Sequence, residues 1–293
     1  MTPIKKKLDA IEAELGRAVF VVASAHERFF EPDEDAIRVF MEAAHRRSEK
    51  GRPFEKAALL LIGQGGHPAF AEGVVRALRA FWPAFDLILV SRTRGVATLL
   101  TFKAERVVMH PWASVGAYDA GPILNGPSKL SPSVWDDIPA MQGVETEEHF
   151  ASQLARHRHH ARLARSLARR WAGDSKALLD SLSEYELGAG LGLGADELEE
   201  FGIKAEIAED PLRSTVWDLY QIYEKELGLL KEPAPRYSPS DIADEVEFEP
   251  AEYLSAGIVE TTVDDFVYQV DTGRPHPETG ALLGEWMMEK SEI

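Results

Sequence analysis

The chain predicts an α/β protein whose mostly parallel sheet is flanked by helices, and three observations within residues 57–116 predict it. Residues 58–62, 85–90 and 106–109 are short apolar runs rich in Leu, Ile and Val. They are too short for typical helices and have the continuous apolar character of strands buried on both faces. Between the first two runs, Ala71, Val74, Val75, Leu78 and Phe81 recur at helical spacing. A shorter helical run, 95–103, separates the second from the third. Strand, helix, strand, helix, strand is the order that builds a parallel sheet with helices packed on it.

The other elements follow in order. Pro3–Leu15 predicts an amphipathic helix with Ile4, Leu8, Ile11 and Leu15 on its apolar side and Gly16 as its stop. A strand is expected at 18–23. In the loop at 24–32, Phe29 and Phe30 are expected to anchor to the core. Residues 33–50 read as a helix burying Ile37, Phe40, Met41 and Ala44, with Gly51 ending it. Residues 121–142 are rich in Pro, Gly and Ser and read as a long irregular segment. Residues 146–171 carry the longest helical pattern, about seven turns. Its acidic start and its Arg169 and Arg170 end suit the helix dipole. Shorter helices are expected at 176–185 and 196–201, and an amphipathic one at 214–230. Residues 231–252 are Pro-rich and acidic, as a linker is. From 255 on the pattern alternates, with Phe266, Tyr268 and Val270 on one face of a strand. The organisation expected is thus a main domain at 1–230 including a helical arm at 145–230, a linker at 231–252 and a small β extension at 253–293.

In an open parallel sheet, function collects at the carboxyl ends of strands. Two loops lie there: Gly63-Gln64-Gly65-Gly66, whose glycines can turn tightly and leave backbone N–H groups free, and residues 91–96, which lead into the next helix. This pairing resembles the Clp protease/crotonase fold. More narrowly, the chain resembles the serine dehydrogenase proteinase family, relatives of signal peptide peptidase A. The resemblance rests on Gly65-Gly66, Gly95-Val96-Ala97-Thr98-Leu99, Arg106-Val107-Val108-Met109 and Val115-Gly116-Ala117-Tyr118-Asp119, in that order and at matching spacing. It implies a serine peptidase ancestry, an oxyanion hole at the Gly-Gly turn, a substrate cleft shaped by 121–142, and self-assembly. Gly95 stands where the nucleophilic serine belongs, and a glycine has no side chain to acylate.

The candidate oxyanion donors are the backbone N–H groups of Gly65, Gly66 and Val96. Ser91 is the candidate displaced nucleophile, and Lys129, Asp119 and His110 are candidate bases by position. The reading is a degenerate peptidase that keeps a peptide-binding cleft or an oligomeric scaffold. Its alternatives are an active peptidase using Ser91, and a module that holds a partner through the basic helix 156–170. Crotonase-type enolate chemistry needs no serine, but the sequence shows no coenzyme A signature. His157 and His160 share a helix side without a third ligand at metal spacing, so neither metal nor cofactor is expected.

Composition bounds the rest. With 32 basic and 49 acidic residues the 293-residue chain has a formal net charge of −17, which disfavours nucleic acid or anionic membrane as a general partner. It has no cysteine, so disulfide and thiolate chemistry are excluded. Neither a signal-peptide pattern nor a run of about 18 apolar residues occurs, so a cytoplasmic location is the expectation. A homo-oligomer and a peptide or protein ligand are what the resemblance implies.

Overall fold

The computed structural model describes residues 2–24, 34–63, 66–119, 148–173, 175–183, 191–229, 253–275 and 282–289. The strands are β1 (Ala18–Ser24), β2 (Ala57–Ile62), β3 (Phe85–Leu89), β4 (Arg92–Thr93), β5 (Arg106–Met109), β6 (Ser114–Val115), β7 (Ala205–Ile207), β8 (Tyr253–Thr261), β9 (Asp265–Pro275) and β10 (Leu282–Glu289). The helices are α1 (Pro3–Leu15), α2 (Glu34–Lys50), α3 (Pro68–Phe81), α4 (Val96–Thr101), α5 (Glu148–Ala172), α6 (Lys176–Ser181), α7 (Ala195–Glu200) and α8 (Leu212–Glu226).

Eight strands form one mixed sheet in the order β10-β9-β8-β1-β2-β3-β5-β7. From β1 to β7 every neighbouring pair is parallel, as the apolar runs predict. Strands β8, β9 and β10 add antiparallel at the other side of β1, with Val22 opposite Val259. The described strands of the extension expected at 253–293, β8, β9 and β10, therefore join the same sheet as its antiparallel part. Strands β4 and β6 pair separately at the carboxyl end of the sheet, Arg92 with Ser114 and Thr93 with Val115.

The period-2 geometry of the strands divides the core in two. Phe20, Leu59, Leu87 and Val107 pack with α2, α3, α4 and α5 on one face. Val19, Val21, Leu60, Ile88 and Val108 pack with Leu8 and Ile11 of α1 and with Val216, Leu219 and Tyr223 of α8 on the other. Both faces are covered, which is why β1 and β2 are buried at every position. Asp86 breaks the apolar run of β3 and is fully buried, where an unpaired carboxylate costs several kcal/mol. It is held by the guanidinium groups of Arg17 and Arg106, each at 2.6 Å.

Local sequence explains the boundaries. Thr2 caps the start of α1 by accepting from the Lys5 N–H, Pro3 opens the helix, and Gly16 closes it at φ 62°. His67 caps α3, its Nδ1 accepting from the Ala69 N–H. Among the described residues no helix is long and apolar enough to cross a membrane. The loop phenylalanines Phe29 and Phe30, the irregular segment 121–142 and the linker 231–252 lie outside the described residues.

Candidate functional site

Strands β2 and β3 are parallel neighbours, so the turns that follow them leave the sheet side by side at its carboxyl end. The first turn begins at Gly63, whose φ is 118°. A Cβ there would come within 2.6 Å of the Ser24 carbonyl oxygen, so the close approach of β1 and β2 at this end requires glycine. Gly66 is buried at φ 94° and lies directly before the start of α3. Gly65 lies outside the described residues, as does Lys129.

The second turn is an elbow. The chain leaves β3, passes the half-buried Ser91, runs through the two residues of β4 and turns at Gly95 into α4. Gly95 has φ 65° and ψ −123°, a conformation that is costly for any residue with a Cβ. The segment after β5 straps this elbow. The Gly95 N–H donates to the Ala117 carbonyl at 2.8 Å, and the Gly116 N–H donates to the Thr93 carbonyl at 2.7 Å. The Thr98 hydroxyl, fully buried, donates to the Gly116 carbonyl at 2.9 Å. Thr98 is thereby committed to structure. Val96, buried, opens α4, and no side chain caps that start.

Helix α5 crosses both turns. The Nε2 of His160 and the Gly66 carbonyl oxygen are 3.0 Å apart; since the carbonyl only accepts, Nε2 carries the proton in this contact. The His160 and His67 rings meet edge to face at 5.8 Å. Five residues along, Arg165 Nε donates to Asp119 at 2.9 Å, and that carboxylate is 1% exposed. One helix thus holds the Gly66 turn through His160 and the strap behind the elbow through Arg165. Beside Asp119, the Tyr118 hydroxyl is pushed up to about 12, first by burial and then by the Asp119 charge.

Gly66, and Gly95 with Val96, follow neighbouring parallel strands at the carboxyl end of the sheet. The structure does not give Ser91 a base: no hydrogen bond joins it to one among the described residues. Asp119 is occupied by Arg165. His110 faces the opposite helical layer, stacked on Trp217 of α8 at 5.2 Å and accepting at Nδ1 from the Trp112 N–H. Its pKa is lowered by burial and by Arg213.

The sequence pattern offered His160 only as a metal ligand that lacked a third partner, or as part of a solvated basic helix, and did not single out His67 or Arg165. The signal for His160 was the small-residue stripe beside it: Ala161, Ala164 and Ala168 recur at helical spacing and are buried, while His159, Arg158 and Arg162 are exposed. The basic residues of α5 that were expected to hold a partner are therefore divided. Arg165 turns to the elbow, Arg170 reaches Glu72 of α3, and Arg158, His159, Arg162 and Arg169 are exposed.

No family model matches the chain, and no curated protein matches it by sequence. In shape it is similar to ClpP1 from Listeria monocytogenes, at 12% identity and a TM-score of 0.41, over 70% of this chain and 97% of that one. It is also similar to the ClpP protease catalytic domain from Plasmodium falciparum, at 10% identity and a TM-score of 0.44, over 72% of this chain and 94% of that one. At these values the likeness concerns the arrangement of strands and helices alone.

Proposed function

We propose that the chain is a peptide-binding protein built on a serine-peptidase elbow from which the nucleophile has been lost. One observation carries this reading: Gly95 keeps the strained backbone of a strand-to-helix elbow, φ 65° and ψ −123°, with no side chain to present. In hydrolases that turn is sharp and strained because it lifts a serine hydroxyl above the sheet. Here it serves no such group. The turn at Gly66 and the start of α4 at Val96 remain as sources of backbone donors for a substrate carbonyl oxygen. A carbonyl held there polarises, but nothing attacks it, so binding is not followed by acyl transfer. The resemblance of Gly65-Gly66 and of residues 95–99 to the serine dehydrogenase proteinase family supports an extended peptide as the ligand. Self-association of this chain belongs to the same reading.

The test pairs the native protein with Gly95→Ser. Fluorescently labelled casein peptides are expected to bind the native protein and remain intact, and a fluorophosphonate is expected to label only the variant. Absence of peptide binding by the native protein in fluorescence anisotropy overturns the cleft. Cleavage by the native protein, lost in Ser91→Ala, replaces this reading with a displaced nucleophile.

A further inference from the structure

A concavity of about 460 Å³ lies where α3, α4 and α5 come together. It is framed by Arg76 and Arg79 along the outer side of α3, Lys103 just after α4, and Arg170 and Trp171 at the end of α5. Four cations thus converge on one hollow in a chain with 17 more acidic than basic residues. A single carboxylate, Glu72, is among them. Arg76 and Arg170 both reach its Oε1 at 2.8 Å. Arg79 and Lys103 make no ion pair or hydrogen bond with a carboxylate among the described residues. The Lys103 ammonium sits 5.9 Å from the centre of the Trp171 ring.

Three helices end here, and their C-terminal dipoles, worth about half a negative charge each, favour cations. That accounts for basic residues at the site but leaves them in excess. The Lys103 pKa is lowered, first by burial and then by the positive charges of Arg79 and Arg170, so the local field at its ammonium is repulsive. An anion placed between Lys103 and Arg79 relieves that repulsion. Guanidinium groups match phosphate oxygens through paired N–H donors, a lysine adds a point charge, and Trp171 adds an aromatic wall.

We propose that this cavity binds a small phosphate-bearing anion. The site goes beyond the peptide cleft and stands without it, because none of its lining residues belongs to the Gly66 turn or the Gly95 elbow, or makes the hydrogen bonds that hold them. The diphosphate group is the shared chemistry, whether free or carried by a nucleotide.

Calorimetric titration of the full chain at low salt with pyrophosphate, with adenosine diphosphate and with adenosine tests it. Both diphosphates are expected to bind and adenosine alone is not. Tighter binding of the nucleotide than of pyrophosphate identifies a nucleotide lying against Trp171; equal binding identifies the bare diphosphate. Arg79 is exposed, so Arg79→Gln keeps the fold; it is expected to weaken both ligands, and Arg79→Gln with Lys103→Met to weaken them by about tenfold or more. No heat from either diphosphate at millimolar concentration overturns the proposal. So does undiminished affinity in Arg79→Gln, which settles the matter even where the double variant does not fold.

Discussion

At Gly95 the backbone is held at φ 65° and ψ −123° at the entry to α4. The sequence showed only a glycine where the resemblance places a serine. The structure shows that a conformation costly to any side chain is enforced there, by the Gly95 N–H on Ala117 and by the Thr98 hydroxyl on Gly116. Any side chain at φ 65°, ψ −123° carries a cost on the order of 1–3 kcal/mol. Gly95→Ala is therefore expected to lower unfolding stability by about 1–3 kcal/mol in urea titration. A neutral result means that the strap yields and the elbow is not imposed by its surroundings. Torsions of this kind leave no mark in residue type beyond glycine itself, so the elbow was half legible: its place could be read, its geometry could not. Likewise Asp119 was legible as a polar residue at the right spacing, but not as a carboxylate engaged by Arg165 from a helix 46 residues further on.

Among the elements, those with punctuation were read best. Helix α1 lies between Pro3 and Gly16 as expected, and the three apolar runs are the strands β2, β3 and β5 to within a residue. Strands β4, β6 and β7 were missed because two or three residues carry no period. Helix α5 was read by its charges, whereas its alanines decide which side packs. The connection between helical layers was also invisible. Glu12 of α1 receives the Val19 N–H of β1 at 3.0 Å and the Arg47 guanidinium of α2 at 2.6 Å, and both side chains are almost wholly buried. This pair joins the two helical layers past the first residues of β1. Arg47→Met removes one partner and leaves Glu12 buried without its counter-charge, a change that costs about 3–5 kcal/mol. Urea unfolding is expected to show that loss, and a change under 1 kcal/mol on the same scale would mean that Glu12 finds water in place of Arg47.

Across the whole molecule, the antiparallel half of the sheet is sealed to the parallel half by a buried polar cluster. Lys5 of α1, Tyr223 of α8, Glu260 of β8 and Asp265 of β9 meet there, with Lys5 bonded to Asp265 and to the Thr261 carbonyl and Tyr223 donating to Glu260. The Glu260 carboxyl is pushed up to about 8, first by burial and then by the Asp265 charge, with the Tyr223 bond and Lys5 opposing. Its ordinary value is 4.5, so between these two values the folded chain holds a proton that the unfolded chain releases. Stability from this group is therefore lost as pH rises through that window. Glu260→Gln imitates the protonated acid at every pH. It is expected to leave the melting temperature near that of the native protein at about pH 5 and to raise it at about pH 9. A difference that does not change with pH means that Glu260 is already ionised in the folded protein. The alternation that marked β9 was legible in sequence. The pairing of β8 with β1 was not, because contacts between residues more than two hundred positions apart leave no local pattern.

That pairing has a consequence for how the protein is made. During synthesis β1 emerges early, and its parallel partner β2 follows within about forty residues, yet its other edge stays bare until Gly257 to Thr261 arrive. For most of translation the growing chain therefore carries an unpaired, apolar strand edge in the middle of its future sheet, the kind of edge that recruits strands from other chains. A ribosome that stalls or a protease that cuts before β8 would leave a product prone to aggregate, not a smaller working protein, so the quality of every copy is decided by whether Gly257 to Thr261 are made and kept.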